Sequence, residues 1–463
     1  MGAAGGSLRA AGGRRPGFNL LLPVAGLLVL AAFVAVASVD FDLYTKIIGL
    51  WSFHMVDAPF YDMGGPVSWI RCWRQGVDVY ASNPCDALDR LMNYSPLLLR
   101  LPLPWTSEAS VTWYALALDA LFLGCLAVLP RPRAGLDGVQ MLLAVASPFC
   151  VFALERANLD LLVFVLVAVA IVLLGRGPGA RLFGYAAIVA AGLLKFYPFV
   201  LLLLLVRERR ARFLVLGTIC AIIFLAFAWR YSAELRFALA HIPRPRYYDD
   251  GFGAPQLPFG LVAIEIVLRG HAEHLDSADL AVWVAGTLVC YAAAIVGGLR
   301  LGRSATLRDG LALLSERESL CLSAGAMLIC ACFFIGVSVG YRAVLFLFAL
   351  SGLLALARVC GDTRFARRLH LLAAGSLVAV WCLPIQRLIA VVFGRFWRPD
   401  DIAAHAAGSA LPGIAFWLLR EAIWWSLVTF LLAVIVQTVL TSRTWTETLA
   451  TLPRSLRLYA GGR

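Results

Sequence analysis

The chain has 463 residues, of which 61% are hydrophobic and 15% charged, with a mean hydropathy of +0.83. A soluble globular chain is about half apolar and a quarter charged, so this composition excludes one. The net charge of +12 does not indicate nucleic acid, because the arginines fall in short clusters between hydrophobic windows, the pattern that sets membrane topology.

Several windows reach about 18 or more residues with almost no charge, long enough to cross a hydrocarbon core. Backbone polar groups in lipid must be bonded within the chain, so these windows are expected to be helices. The predicted fold class is an all-α polytopic membrane protein. Residues 1–17 are rich in Gly and Ala, carry Arg9, Arg14 and Arg15, and read as a disordered cytoplasmic N-terminus. The window at 19–38 is longer than a signal-peptide core and lacks a small-residue cleavage site, so it reads as a retained anchor.

Alternation of sides then places 39–108 outside. Further spans are expected near 110–129, 138–153, 159–175, 182–194, 212–229, 280–298, 319–337, 343–357, 371–391 and 423–440, with a short returning helix after "KFYP" and a weak helix in 257–279. The total is about 12 spans, with arginine clusters inside each time. Residues 18–440 form one transmembrane domain and 441–463 a cytoplasmic tail. The outer loops are longer and richer in aromatics, prolines and acids, which makes the outside the working face. No internal repeat is visible, which disfavours an inverted-repeat transporter.

The first outer loop holds the acids Asp40, Asp42, Asp57 and Asp62. Within 64–76, Val67, Trp69, Ile70 and Trp73 recur at helical spacing, as expected of an interfacial helix at headgroup depth. Cys72 and Cys85 share the oxidising side and are expected to pair, closing a short loop worth about 3 kcal/mol. The other nine cysteines lie in or near apolar windows and read as small fillers. His271 and His274 lack partner ligands nearby in sequence, so no zinc site is indicated.

Charges at membrane depth are costly and usually face a polar cavity. "ERANLD" sets Glu155, Arg156, Asn158 and Asp160 between two spans, Lys195 ends an apolar helix, and Arg342 directly precedes a span. Lys195 is one of only two lysines, with Lys46. Arg342 and Lys195 suit an anionic phosphate, and Arg156 is spaced to pair with Asp160 four residues on. The structural alternative for each is a snorkelling or salt-bridged charge, but their shared location at the outer face favours a site.

The segments "FYDMGGPVSW", "GVDVYASNPCDALDRLMNYSP", "RANLDLLVF", "AAGLLKFYPFVLLLLLVRERR", "GFGAPQL" and "GYRAVLFLFAL" together resemble glycosyltransferase family 87, polyprenol-phosphate-sugar-dependent membrane enzymes of the GT-C superfamily. The resemblance spans roughly residues 40–360. It implies a GT-C bundle with interfacial helices in the first outer loop. It further implies transfer of a hexose, mannose by family analogy, from a polyprenyl-phosphate carrier to a glycolipid or glycan on the periplasmic face of a bacterial inner membrane. By the same resemblance the base is Asp62, with Asp57, Asp42 and Asp40 as alternatives. Arg342, Lys195, Arg156 and Tyr341 would hold the donor phosphate, and Asn158, Asp160 and Tyr94 would contact sugar or acceptor. No cofactor is implied, and a divalent metal is compatible with the chemistry. The rival classes are a lipid or glycan flippase, which would show broken helices in two related halves, and a non-enzymatic envelope scaffold, which would tolerate alanine at these sites.

Overall fold

The computed structural model describes residues 19–52, 59–132, 135–241, 251–268, 277–393 and 411–451. The N-terminal segment 1–17, Asp57, His271 and His274 lie outside the described residues. Among the described residues the chain is helical, with a single isolated bridge between Phe252 and Ser338 and no strand.

Among the described residues, seven helices are long and apolar enough to cross a membrane: α1 (Leu21–Val39), α4 (Glu108–Cys125, extended by a 3-10 turn to Val128), α9 (Arg210–Arg230), α12 (Ser277–Gly302), α14 (Glu316–Ile335), α15 (Phe346–Val359, preceded by a 3-10 segment from Gly340) and α18 (Leu411–Leu440). Two bent pairs, α5 (Gly135–Val145) with α6 (Pro148–Arg156) and α16 (Thr363–Val380) with α17 (Cys382–Phe393), bring the number to nine if each counts as one span. The expected twelve are not reached among the described residues. The difference includes α7 (Leu159–Leu174), which at 16 residues spans about 24 Å, less than a hydrocarbon core of about 30 Å. After α8 (Pro178–Lys195) the "KFYP" segment continues as a short helix, of 3-10 type, Tyr197–Arg207.

The core is built on α7. It packs against α8, α4 and α14, and Phe164 sits between Phe122 of α4 at 4.8 Å and Phe348 of α15 at 4.2 Å. Helices α14 and α15 meet at Gly325 and Gly352: a Cβ on Gly325 would strike the Ala349 backbone, and one on Gly352 the Leu322 backbone. Between apolar helices in lipid, small residues permit the close approach from which van der Waals packing draws its strength.

The first loop is a structured cap over one end of this bundle. Its helix α3 (Tyr61–Arg74) covers the expected interfacial segment and packs against α4 and α6. Val67, Trp69 and Ile70 are buried by the chain itself, and Trp73 alone of that group is exposed. Cys72 and Cys85 form the expected disulfide. Arg90 pins the cap: its guanidinium pairs with Asp86 at 2.8 Å, donates to the Tyr61 carbonyl at 3.0 Å and stacks 3.9 Å over the Tyr61 ring. Its carbonyl accepts from Trp69 Nε1 at 2.7 Å and Asn83 Nδ2 at 3.0 Å.

Candidate functional site

The site lies where α3, the α6–α7 junction, the end of α8 and the segment Gly340–Leu345 converge. The sequence reading treats "ERANLD" as a helix face, but the backbone breaks there. Ala157 takes the left-handed conformation at φ 46° and ends α6, and Asn158 caps α7. The break removes the expected i,i+4 pair. Arg156 instead lies 3.3 Å from Glu155 and 3.9 Å from Asp62, and Asp160 turns the other way, to Lys195 and Arg342.

Asn158 is completely buried and uses both ends of its amide. Oδ1 accepts from the Asp160 N–H at 2.9 Å and from Lys195 Nζ at 3.0 Å. Nδ2 donates to Asp62 Oδ2 at 2.6 Å. With cationic and N–H donors on one side and a carboxylate on the other, only this amide orientation satisfies every partner.

Asp160 is the buried anion of the cluster. Its Oδ1 lies 3.0 Å from Lys195 Nζ and accepts from the Tyr197 hydroxyl at 2.8 Å. Its Oδ2 faces Arg342 Nε at 3.9 Å, beyond hydrogen-bond length. Lys195 and Tyr197 reach one oxygen because Phe196 between them has φ 56°, a costly backbone state for a non-glycine residue, which turns the chain sharply out of α8. The Lys195 ammonium also sits 5.0 Å from the Tyr94 ring and 5.8 Å from the Tyr341 ring. Burial pushes the Tyr94 phenol up from its ordinary value, and the Lys195 charge offsets part of that rise.

Arg342 donates to Ser338 Oγ at 3.1 Å. Ser338 in turn exchanges two backbone hydrogen bonds with Phe252, at 2.9 and 2.8 Å. The neighbouring Gly253 lies so close to the Gly336 carbonyl that a Cβ could not fit. The "GFGAPQ" stretch thereby fixes the bridged residue Ser338, just before the 3-10 helix Gly340–Leu345 that carries Arg342.

Eight of the singled-out residues therefore form one constellation: Asp62, Tyr94, Arg156, Asn158, Asp160, Lys195, Tyr341 and Arg342. Asp62 keeps about a quarter of its side chain exposed, and Arg342 similarly, whereas Asp160, Asn158 and Lys195 are buried. The alternatives to Asp62 stand apart. Asp40 accepts from Leu43 N–H at 2.9 Å as the cap of α2 (Phe41–Ile48), and Asp42 is exposed on that helix's first turn.

Sequence reasoning missed Tyr61, whose ring lies 5.0 Å from the Arg156 guanidinium as well as under Arg90. It also missed Tyr197, although that residue stands beside Lys195 in "KFYP". Among the described residues no group of three or more His, Cys, Asp or Glu side chains is placed to hold a metal ion.

Comparison with known proteins gives no match: no family model, no curated protein and no solved structure is similar to this chain.

Proposed function

We propose that this protein is an integral membrane glycosyltransferase that moves a hexose from a polyprenyl-phosphate carrier to an alcohol acceptor, with Asp62 as base. The observation that carries the reading is the spacing of charge. A partly exposed carboxylate and three cations share one site, and the Asn158 amide bridges Asp62 to Lys195. A polyprenyl-phosphate sugar needs such a pair of functions, a proton acceptor for the incoming hydroxyl and positive charge for the departing phosphate.

In the proposed step the acceptor oxygen attacks the anomeric carbon as its proton passes to Asp62. The bond from that carbon to the phosphate oxygen breaks, and its electron pair leaves with polyprenyl phosphate, already an anion. One displacement inverts the anomeric centre. Arg342 is the partly exposed cation that meets the phosphate bidentately. Lys195, held between Asp160 and Asn158, supplies fixed positive potential behind it. Arg156 lies on the other flank of Asp62, 3.9 Å away, and helps to orient that carboxylate. Mannose as the sugar and the periplasmic face as the side come only from the resemblance of the quoted sequence segments to glycosyltransferase family 87.

The test is incubation of the purified protein with radiolabelled polyprenyl-phosphate sugars and membrane lipid extract. The wild type transfers label to an extractable product, and Asp62→Asn lowers the rate about a thousandfold while carrier binding persists. A variant rate equal to wild type removes Asp62 from the role. Carrier movement across sealed vesicles with no transfer product would instead make the protein a flippase.

A further inference from the structure

Beside the charged constellation runs an apolar cavity of about 620 Å³, walled by α1, α2, α4 and the α5–α6 pair. Residues such as Val29, Phe33, Leu116 and Leu142 line it, and the wall also contains two acids, Asp119 and Glu155. Asp119 is fully buried and Glu155 is 4% exposed. None of their four carboxyl oxygens has a hydrogen-bond partner among the described residues. Buried polar atoms are nearly always partnered, and leaving them bare is costly. Glu155 has the Arg156 guanidinium 3.3 Å from Oε2, but Asp119 and the other Glu155 oxygen face the apolar cavity without a donor among the described residues, which calls for donors from outside the chain.

The cavity ends next to the base. Phe60 lines it, and its N–H donates to the Glu155 carbonyl at 2.8 Å, two residues before Asp62. Tyr44 lines the same wall, and burial, with the Glu155 and Asp119 charges added, pushes its phenol up.

We propose that this cavity is the acceptor site, and that its ligand is a lipid with several hydroxyls, whose chain lies along α1 and α4 and whose hydroxyls donate to Asp119 and Glu155. The assignment rests on the reading of Asp62 as a base for an alcohol, and it places donor phosphate and acceptor lipid on opposite flanks of that base. A neutral polyol fits better than an amine, because Glu155 already has the Arg156 guanidinium 3.3 Å away and a second cation would be set against it. Three oxygens on one wall, both of Asp119 and one of Glu155, also ask for several donors at close spacing, which a polyol carries.

The experiment uses the full chain in detergent micelles and three photoreactive probes with the same diazirine-bearing alkyl chain. One ends in glycerol, one in a methyl ether without donors, and one in a primary amine. The glycerol probe is expected to label peptides containing Val29–Phe33 and Leu116–Leu123 about tenfold more than the ether, as one well-made hydrogen-bond set allows. Asp119→Leu is expected to reduce glycerol labelling to the ether level, leave ether labelling unchanged and raise the melting temperature. Equal labelling by glycerol and ether overturns the proposal, as does preference for the amine or undiminished glycerol labelling in Asp119→Leu. The wild-type probe comparison stands even if the variant does not fold. Labelling needs no sugar donor and no turnover. Lost preference with intact transfer removes the cavity assignment alone, and lost transfer with intact preference removes the glycosyltransferase reading alone.

Discussion

Asn158 is the residue on which the constellation turns, because its amide touches Asp62, the proposed base, together with a cation and the backbone of α7. Asn158→Ala leaves Asp62 free to rotate and is expected to lower transfer about a hundredfold, the cost of misplacing a reacting group by about 1 Å. Asn158→Asp places a second carboxylate where the donor now stands, 2.6 Å from Asp62. The two like charges repel, and the displaced Asp62 side chain is expected to lower the initial rate about as much as Asn158→Ala does. Asp160 answers a different question. It is fully buried against Lys195 at 3.0 Å, and Asp160→Ala strands that ammonium, an expected loss of about 3–5 kcal/mol by thermal unfolding in detergent. Adding Lys195→Met should return much of that loss, since replacing a whole buried pair is far cheaper than halving it. These residues were visible in the sequence as polar groups at membrane depth. Their partners were not: the expected Arg156–Asp160 pair assumes an unbroken helix, and the left-handed backbone at Ala157 sends the two side chains to different neighbours.

At the scale of elements, three features hold the site in place. The disulfide closes the cap over α3, and Cys72→Ser with Cys85→Ser is expected to cost about 3 kcal/mol through a freer unfolded chain, seen as a lower melting temperature. The left-handed residue between α6 and α7 is an alanine, and Ala157→Gly removes a Cβ penalty of about 1–2 kcal/mol, less a part for the entropy of glycine. That variant is expected to melt at an equal or higher temperature. The α14–α15 contact tolerates no side chain, and Gly325→Leu is expected to prevent folding altogether, read as aggregation on size exclusion. Helix positions followed from hydropathy because a run of apolar residues has few alternatives in lipid. The bends within α5–α6 and α16–α17 did not, since they depend on packing against neighbours that a single window cannot reveal. Asp119 left a trace that could have been read, a lone acid in an apolar window, the usual mark of a functional group inside a membrane.

Across the whole molecule, polar chemistry is gathered at two ends of an apolar bundle. Opposite the candidate site, Arg358 joins Asp137 at 2.7 Å and Glu318 at 3.4 Å, while Arg181, Arg207 and Arg212 share Glu208 and Glu316. The C-terminal helix α19 (Arg443–Thr451) docks there, with Glu447 accepting the Arg210 N–H at 2.7 Å. That backbone hydrogen bond, aided by Arg443, lowers the Glu447 pKa. The docking it contributes is thus present above the ordinary glutamate range and is lost as pH falls through the lowered folded value. Hydrogen exchange of 443–451 is expected to quicken over that acid range and not above it. The arginine clusters that the sequence offers only as topology signals are here organised into a network that ties helix ends together. By itself the sequence determined that this chain is helical, that it is built to lie in a membrane, and which few polar residues stand at depth, because the absence of water fixes backbone bonding and penalises every stray charge. Only the tertiary structure decided which of those charges meet. Residues 96 apart, such as Asp62 and Asn158, come within 2.6 Å through the landing of a cap on a helix break, and no local pattern encodes that landing.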